Sequence, residues 1–120
     1  MLVAISIPIF TAQLEKAREA TDLANVRSAY AEVQTAALTE TTADDLNATN
    51  GKTAQFEVSG SGSTYKVTAK VTLTQKKDNW QTANAETAVA GITATGDPKA
   101  DGTATITYDA STGETTIVYA

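Results

Sequence analysis

The side chains of this chain that could do chemistry are carboxylates, lysines and a single tryptophan, because histidine and cysteine are both absent. Without those two residue types there is no imidazole or thiolate to act as nucleophile, general base or soft metal ligand. Ser-His-Asp triads, cysteine nucleophiles and disulfide scaffolds are therefore excluded. We predict no enzyme activity, no catalytic residue, no metal site and no cofactor.

Two groups of carboxylates remain as candidates for chemistry. Asp97, Asp101 and Asp109 carry oxygen ligands suited to calcium, but the 97–102 segment lacks the alternating ligands and terminal Glu of an EF-hand loop. Ordinary turn chemistry is the favoured interpretation. Asp44 and Asp45 are adjacent in a turn-rich segment, and capping of a helical turn is favoured over acid-base catalysis.

The densest basic patch comprises Lys66, Lys70, Lys76 and Lys77, and it raises the question of contact with DNA. A net charge of -5 and a pI near 4.5 disfavour nucleic acid as a partner, because that affinity comes largely from Lys and Arg. A solvated strand face is the favoured interpretation. Trp80 could contact a partner, but anchoring a loop on the core is favoured.

The elements that must position these residues follow from a shift in composition along the chain. At 120 residues the chain has room for one core. Alanine and threonine contribute 22 residues each, with alanine concentrated early and threonine late. Since alanine favours helix and threonine favours strand, we predict a helix followed by a sheet.

The predicted helix has no Gly or Pro from Gln13 to Glu40. Its apolar residues recur at helical spacing and are predicted to form the core against the sheet: Leu23, Val26, Tyr30, Val33 and Ala37. A second surface of small residues would permit close approach by another helix: Leu14, Ala17, Ala20, Ala24 and Ala31. The charged residues between them, among them Glu15, Glu19 and Asp22, are interpreted as a solvated or partner-facing side.

The first ten residues are apolar on every face of a helix. That stretch is shorter than the roughly 20 apolar residues that span a bilayer, so we expect it to be the end of a longer apolar segment. Pro8 is expected to kink or locally melt the helix.

Alternation of apolar and polar residues predicts strands after residue 50. The 54–58 and 65–73 segments form one predicted hairpin around a Gly-Ser turn, and 103–108 and 115–119 form a second. The 41–51 segment is predicted to be a loop. The 82–90 segment is interpreted as either a short helix or an irregular crossing.

Together these features resemble type IV pilins. The Leu2–Phe10 stretch is similar to the downstream end of the apolar helix with which those subunits begin, including an Ile-Pro-x-Phe pattern, and the amphipathic 13–20 run continues it. The resemblance covers roughly the first 38 residues. The family's cleavage site, methylated N-terminal Phe and nearby acidic residue are absent, which leads us to expect that Met1 replaces an upstream segment. The lack of cysteine resembles pilins of Gram-positive anaerobes.

The resemblance implies an α+β fold in which a long N-terminal helix packs on a small antiparallel sheet. Residues 1–43 would be the helix, with 1–14 its assembly part, and residues 44–120 would be a β-sheet head. The assembly surface that the resemblance implies consists of Leu2, Val3, Ile5, Ile7, Pro8, Ile9, Phe10 and Leu14. It implies a structural, non-enzymatic subunit that polymerises with copies of itself into a surface filament for adhesion, twitching or DNA uptake. Its partners would be a prepilin peptidase, the assembly machinery and, before assembly, the membrane.

Two alternatives stay open. A pseudopilin of a type II secretion or competence system would share the architecture but would form short periplasmic or wall-spanning assemblies. A small soluble adhesive module would instead pack residues 1–14 against its own sheet.

Overall fold

The structure is a computed structural model that describes residues 2–50 and 54–120; of residues 2–10, 49 and 50 it describes the backbone alone. Two helices precede four strands: α1 (Leu2–Thr39), α2 (Ala43–Asn50), β1 (Gln55–Ser59), β2 (Lys66–Thr72), β3 (Thr103–Asp109) and β4 (Glu114–Tyr119). This arrangement confirms the predicted fold class, an α+β fold with one long helix on an antiparallel sheet.

Helix α1 runs without a break through Pro8, so the local melting expected there is not observed. It ends where Glu40 adopts the left-handed conformation (φ 50°), a common way of terminating a helix. The Thr42 Oγ1 atom then accepts a hydrogen bond from the Asp45 N–H (3.2 Å) and caps α2. The prediction of a loop over 41–51 is therefore wrong for α2. Threonine provides the cap, and Asp44 and Asp45 lie in the first turn.

The sheet is an antiparallel meander in the order β1-β2-β3-β4. Both predicted hairpins are confirmed. A long excursion, residues 73–102, joins β2 to β3, and within it only Ala85–Thr87 forms a short 3-10 turn. The excursion returns past the outer edge of β4, where Thr95 pairs in parallel with Val118.

The core lies between α1 and the inner face of the sheet. The inner face of β2 and its flanks is buried as the alternation predicts: Tyr65, Val67, Ala69, Val71 and Leu73. On α1, Leu23, Val26 and Val33 are buried and Tyr30 is partly buried against the core, whereas Ala37 is only half-buried and Ala36 is fully buried. The difference at Ala37 arises because the buried positions step alternately by four and three residues, which selects Ala29 and Ala36.

Candidate assembly surface

The N-terminal part of α1 extends beyond the head. Thr11, Ala12, Gln13 and Leu14 are all exposed, and Leu14 remains 39% exposed. Four consecutive residues of a helix point in all directions around its axis, so this turn has no side buried against the head. The molecule measures 63 × 27 × 18 Å, and a helix of 38 residues is about 57 Å long. The helix thus sets the length of the molecule.

Most of the predicted assembly surface lies outside the described side chains. This applies to Leu2, Val3, Ile5, Ile7, Pro8, Ile9 and Phe10, whose backbone is helical. Leu14 is the member of that set whose side chain is described, and it is exposed. No helix among the described residues combines the length and the apolar character needed to cross a membrane.

The predicted surface of small residues continues this exposed region along α1. Ala17, Ala20, Ala24 and Ala31 are exposed on the helix. Leu38, near the C-terminal end of α1, is 88% exposed, which is unusual for a large apolar side chain. Small side chains allow two helix backbones to approach closely.

On the side that faces the head, three acidic residues of α1 are buried. Glu15, Glu19 and Asp22, here called the carboxylate row, are 1%, 0% and 0% exposed. The expectation of a solvated or partner-facing side is wrong for these three. They are buried because each accepts hydrogen bonds from the start of the β2–β3 excursion, residues 74–82, here called the latch loop.

The carboxylate row accepts hydrogen bonds from most of the backbone N–H groups of the latch loop. Asp22 accepts from the N–H and hydroxyl of Thr74 (both 2.7 Å) and from the Gln75 N–H (3.0 Å). Glu15 accepts from the N–H groups of residues 76 and 77 (3.0 and 3.2 Å). Glu19 accepts from those of residues 81 and 82 (2.7 and 2.9 Å).

These donors account for the burial of three negative charges. A carboxylate that receives two or three N–H or O–H bonds replaces much of its lost hydration. Arg18 adds a cation 3.5 Å from Glu15, one turn along the same helix. The row therefore binds a backbone segment of its own chain and is not a site for an external ligand. No group of acidic side chains within the described residues could hold a metal ion.

Aromatic packing attaches the end of the latch loop to the sheet. Trp80 meets Tyr119 of β4 edge to face, with ring centroids 5.0 Å apart, as the anchoring interpretation of Trp80 expects. Burial raises the pKa of Tyr119 to about 12, with opposing contributions from Arg27, which lowers it, and Asp22, which raises it. Two buried atoms of the loop, Gln75 Oε1 and Trp80 Nε1, have no hydrogen-bond partner among the described residues.

The remaining candidates for chemistry are dispersed. Lys70 lies 3.5 Å from Glu57 on the outer sheet face, whereas Lys76 pairs with Asp101 (2.5 Å) beside the latch loop, so the four lysines do not form one patch. Asp101 is thus engaged by a lysine, and Asp109 accepts hydrogen bonds from Ser111. These contacts are those of turns and surface ion pairs.

The sequence shows the helical positions of the carboxylate row but does not show that these side chains are buried. Glu15, Glu19 and Asp22 continue the buried stripe of Val26, Ala29, Val33 and Ala36 with the same alternating steps of four and three. Acidic residues at such positions normally indicate a solvated helix. These three residues are buried because the latch loop covers them, and the path of that loop depends on tertiary contacts that the local sequence pattern does not show.

Comparison with known proteins found no family model, no curated protein and no solved structure that matches this chain.

Proposed function

We propose that this chain is a structural subunit of the type IV pilin kind, which polymerises through α1 into a filament on the cell surface. The proposal includes its partners: further copies of the chain, an assembly machinery with a prepilin peptidase, and the membrane before assembly. It assigns the protein no catalytic activity and no cofactor.

The observation that carries this proposal is the extension of α1 beyond the head. A helix that only completed a core would bury a stripe along its whole length. Here the exposed turn at 11–14 precedes the first buried side chain described, Glu15. The adjoining stretch is apolar in sequence, and apolar surface on a protruding helix is favourable only where a membrane or other helices cover it.

The arrangement of the exposed alanines supports a helical partner. They lie on α1 away from the sheet, so a second helix can pack there without displacing the head. A contact between the same helices of successive copies, if it does not close into a ring, generates a helical filament.

A charge placed in the apolar stretch tests the proposal. Ile9→Asp should abolish filaments, because an unpaired carboxylate cannot be buried between apolar helices without a large cost. The head should stay folded, since the latch loop and core lie from residue 15 onward. Filaments are counted by electron microscopy of the cell surface, and the folded head is followed through the fluorescence of Trp80, the chain's one tryptophan.

The matched control places the same charge on the exposed outer face of the sheet. Thr72→Asp should form filaments in normal number, because Thr72 is exposed on β2 and is not part of the apolar stretch of α1. Normal filament numbers from Ile9→Asp would contradict assembly through this stretch.

A further inference from the structure

The buried stripe of α1 is nearly repetitive. Val26 and Ala29 recur seven residues later as Val33 and Ala36, and all four are at most 3% exposed. Seven residues are close to two helical turns, so the two pairs present the same face of the helix. Sliding α1 by seven residues along its axis would therefore place a Val-Ala pair where another had been.

The carboxylate row breaks this repeat. Its three residues occupy the next positions of the same stripe toward the N-terminus. Each of them accepts hydrogen bonds from its own N–H groups of the latch loop. If α1 slid by seven residues toward its C-terminus, Glu19 and Asp22 would take the places of Val26 and Ala29. They would then lie among apolar side chains without donors, which is strongly unfavourable.

The contacts at the other end of α1 are fewer. Glu40 accepts a hydrogen bond from the Gly62 N–H (2.6 Å), and the Tyr65 hydroxyl donates to the Thr41 carbonyl (3.0 Å). The row, by contrast, engages six backbone N–H groups and one hydroxyl. Between the two ends, Arg27 donates to the Ala88 carbonyl (3.3 Å) and Gln34 donates to the Thr115 hydroxyl (2.6 Å). The largest group of polar contacts between α1 and the head thus lies at residues 15–22.

We propose that Glu15, Glu19 and Asp22 act as a register key that selects one axial position of α1 on the head. The key thereby sets how far α1 extends beyond the head, about 20 Å for residues 2–14. A single register matters for polymerisation only if the proposed function holds, because identical subunits then need the same reach. The register itself is measurable on the isolated chain.

The decisive variant removes two residues of the key and extends the Val-Ala repeat by one unit. With Glu19→Val and Asp22→Ala, the stripe contains three successive Val-Ala pairs, each seven residues after the one before. After the slide, Glu15 would take the place of Asp22 beside the latch loop. Leu23 (5% exposed) lies outside this repeat, and after the slide Lys16 would take its place with its ammonium group directed to solvent. We expect a second population of molecules in which α1 is displaced by about 10 Å, the length of seven helical residues. The wild-type chain should show one register.

Spin labels measure this displacement directly. The chain has no cysteine, so spin labels attach only at two introduced cysteines, Ala20→Cys on α1 and Ser63→Cys at the far end of the head. Both positions are exposed. Pulsed electron-electron resonance should give one distance in the wild-type background and an additional, shorter distance, by up to about 10 Å, in the double variant.

Glu32→Val is the matched control, because Glu32 is on α1 but outside the buried stripe. It should keep the single wild-type distance. A folded double variant with only the wild-type distance would overturn the register key. If the double variant does not fold, Glu19→Ala with Asp22→Ala, which also removes both carboxylates, is measured instead, and an unbroadened wild-type distance in that folded variant would overturn it equally. None of these readouts depends on filament formation, so their failure is distinguishable from failure of the proposed function.

Discussion

At the scale of single residues, the burial of Glu19 illustrates how this chain holds its longest irregular segment. Both oxygens of the carboxylate are occupied by N–H groups of residues 81 and 82. Removing the acceptor leaves two backbone donors in a part-buried position, and an unsatisfied donor costs about 1–3 kcal/mol. Glu19 therefore contributes to stability mainly because its loss would leave these two backbone N–H groups without an acceptor.

We accordingly expect Glu19→Ala to lower the free energy of unfolding by about 2 kcal/mol. Urea unfolding followed by Trp80 fluorescence measures this loss, and the folded-state emission should shift to longer wavelength because Trp80 lies in the freed loop. Glu32→Ala provides the comparison and should cost far less. Equal losses in the two variants would show that the hydrogen bonds of Glu19 do not stabilise the loop.

Tyr119 makes the free energy of unfolding depend on pH in the alkaline range. Burial raises its pKa from 10.0 to about 12, so the folded state retains the proton longer than the unfolded state does. The contribution is fully present below pH 10 and is lost as the pH rises toward 12, because the unfolded state releases the proton first.

Tyr119→Phe should therefore flatten the fall in the urea midpoint between pH 10 and 12 relative to the wild-type chain. The ring contact with Trp80 is kept in this variant, which isolates the hydroxyl. An identical alkaline slope in the two proteins would refute the assignment to Tyr119.

At the scale of elements, a side chain of α2 covers the outer edge of β1 at Phe56. The Asn47 carboxamide of α2 accepts from the Phe56 N–H (2.8 Å) and donates to the Phe56 carbonyl (3.0 Å). It thus takes the place of a neighbouring strand at that residue. Covering an edge in this way hinders pairing with other chains.

Asn47→Ala should speed hydrogen exchange of the Phe56 amide and lower the free energy of unfolding by about 1–3 kcal/mol, because both backbone groups lose their partner. Asn47→Asp keeps an acceptor for the N–H but loses the donor, so its protection should be intermediate. Unchanged exchange in Asn47→Ala would mean that α2 covers the edge by other contacts.

Elements with a strong local pattern were predictable from sequence. Strands β2, β3 and β4 were identified from the alternation of apolar and polar residues over 65–73 and in the two C-terminal segments around a turn. This alternation follows directly from a strand with one buried and one exposed face. Helix α2 was missed, since its eight residues include threonine and asparagine, which favour turns. The excursion lacks any such pattern, because its path is set by contacts with Asp22, Glu15 and Glu19.

At the scale of the whole molecule, one helix serves two purposes. Its C-terminal part closes the core, and its N-terminal part extends away from the head. The sequence predicted this division at Leu14, which is exposed, and the buried side begins at the next residue. It could not predict that the boundary is made by a carboxylate, because the donors that bury Glu15 come from residues more than sixty positions away.

The central claim, a filament subunit assembled through α1, is tested most directly on cells that carry this protein. Filaments are sheared from the surface, and the N-terminus of this protein within them is determined by mass spectrometry. We expect long filaments containing this chain, with a methylated terminal residue and an apolar run leading into Ile5-Ser6-Ile7-Pro8. Recovery of the same processed terminus from the membrane alone would favour a pseudopilin, and a soluble protein that begins at Met1 would contradict the proposal.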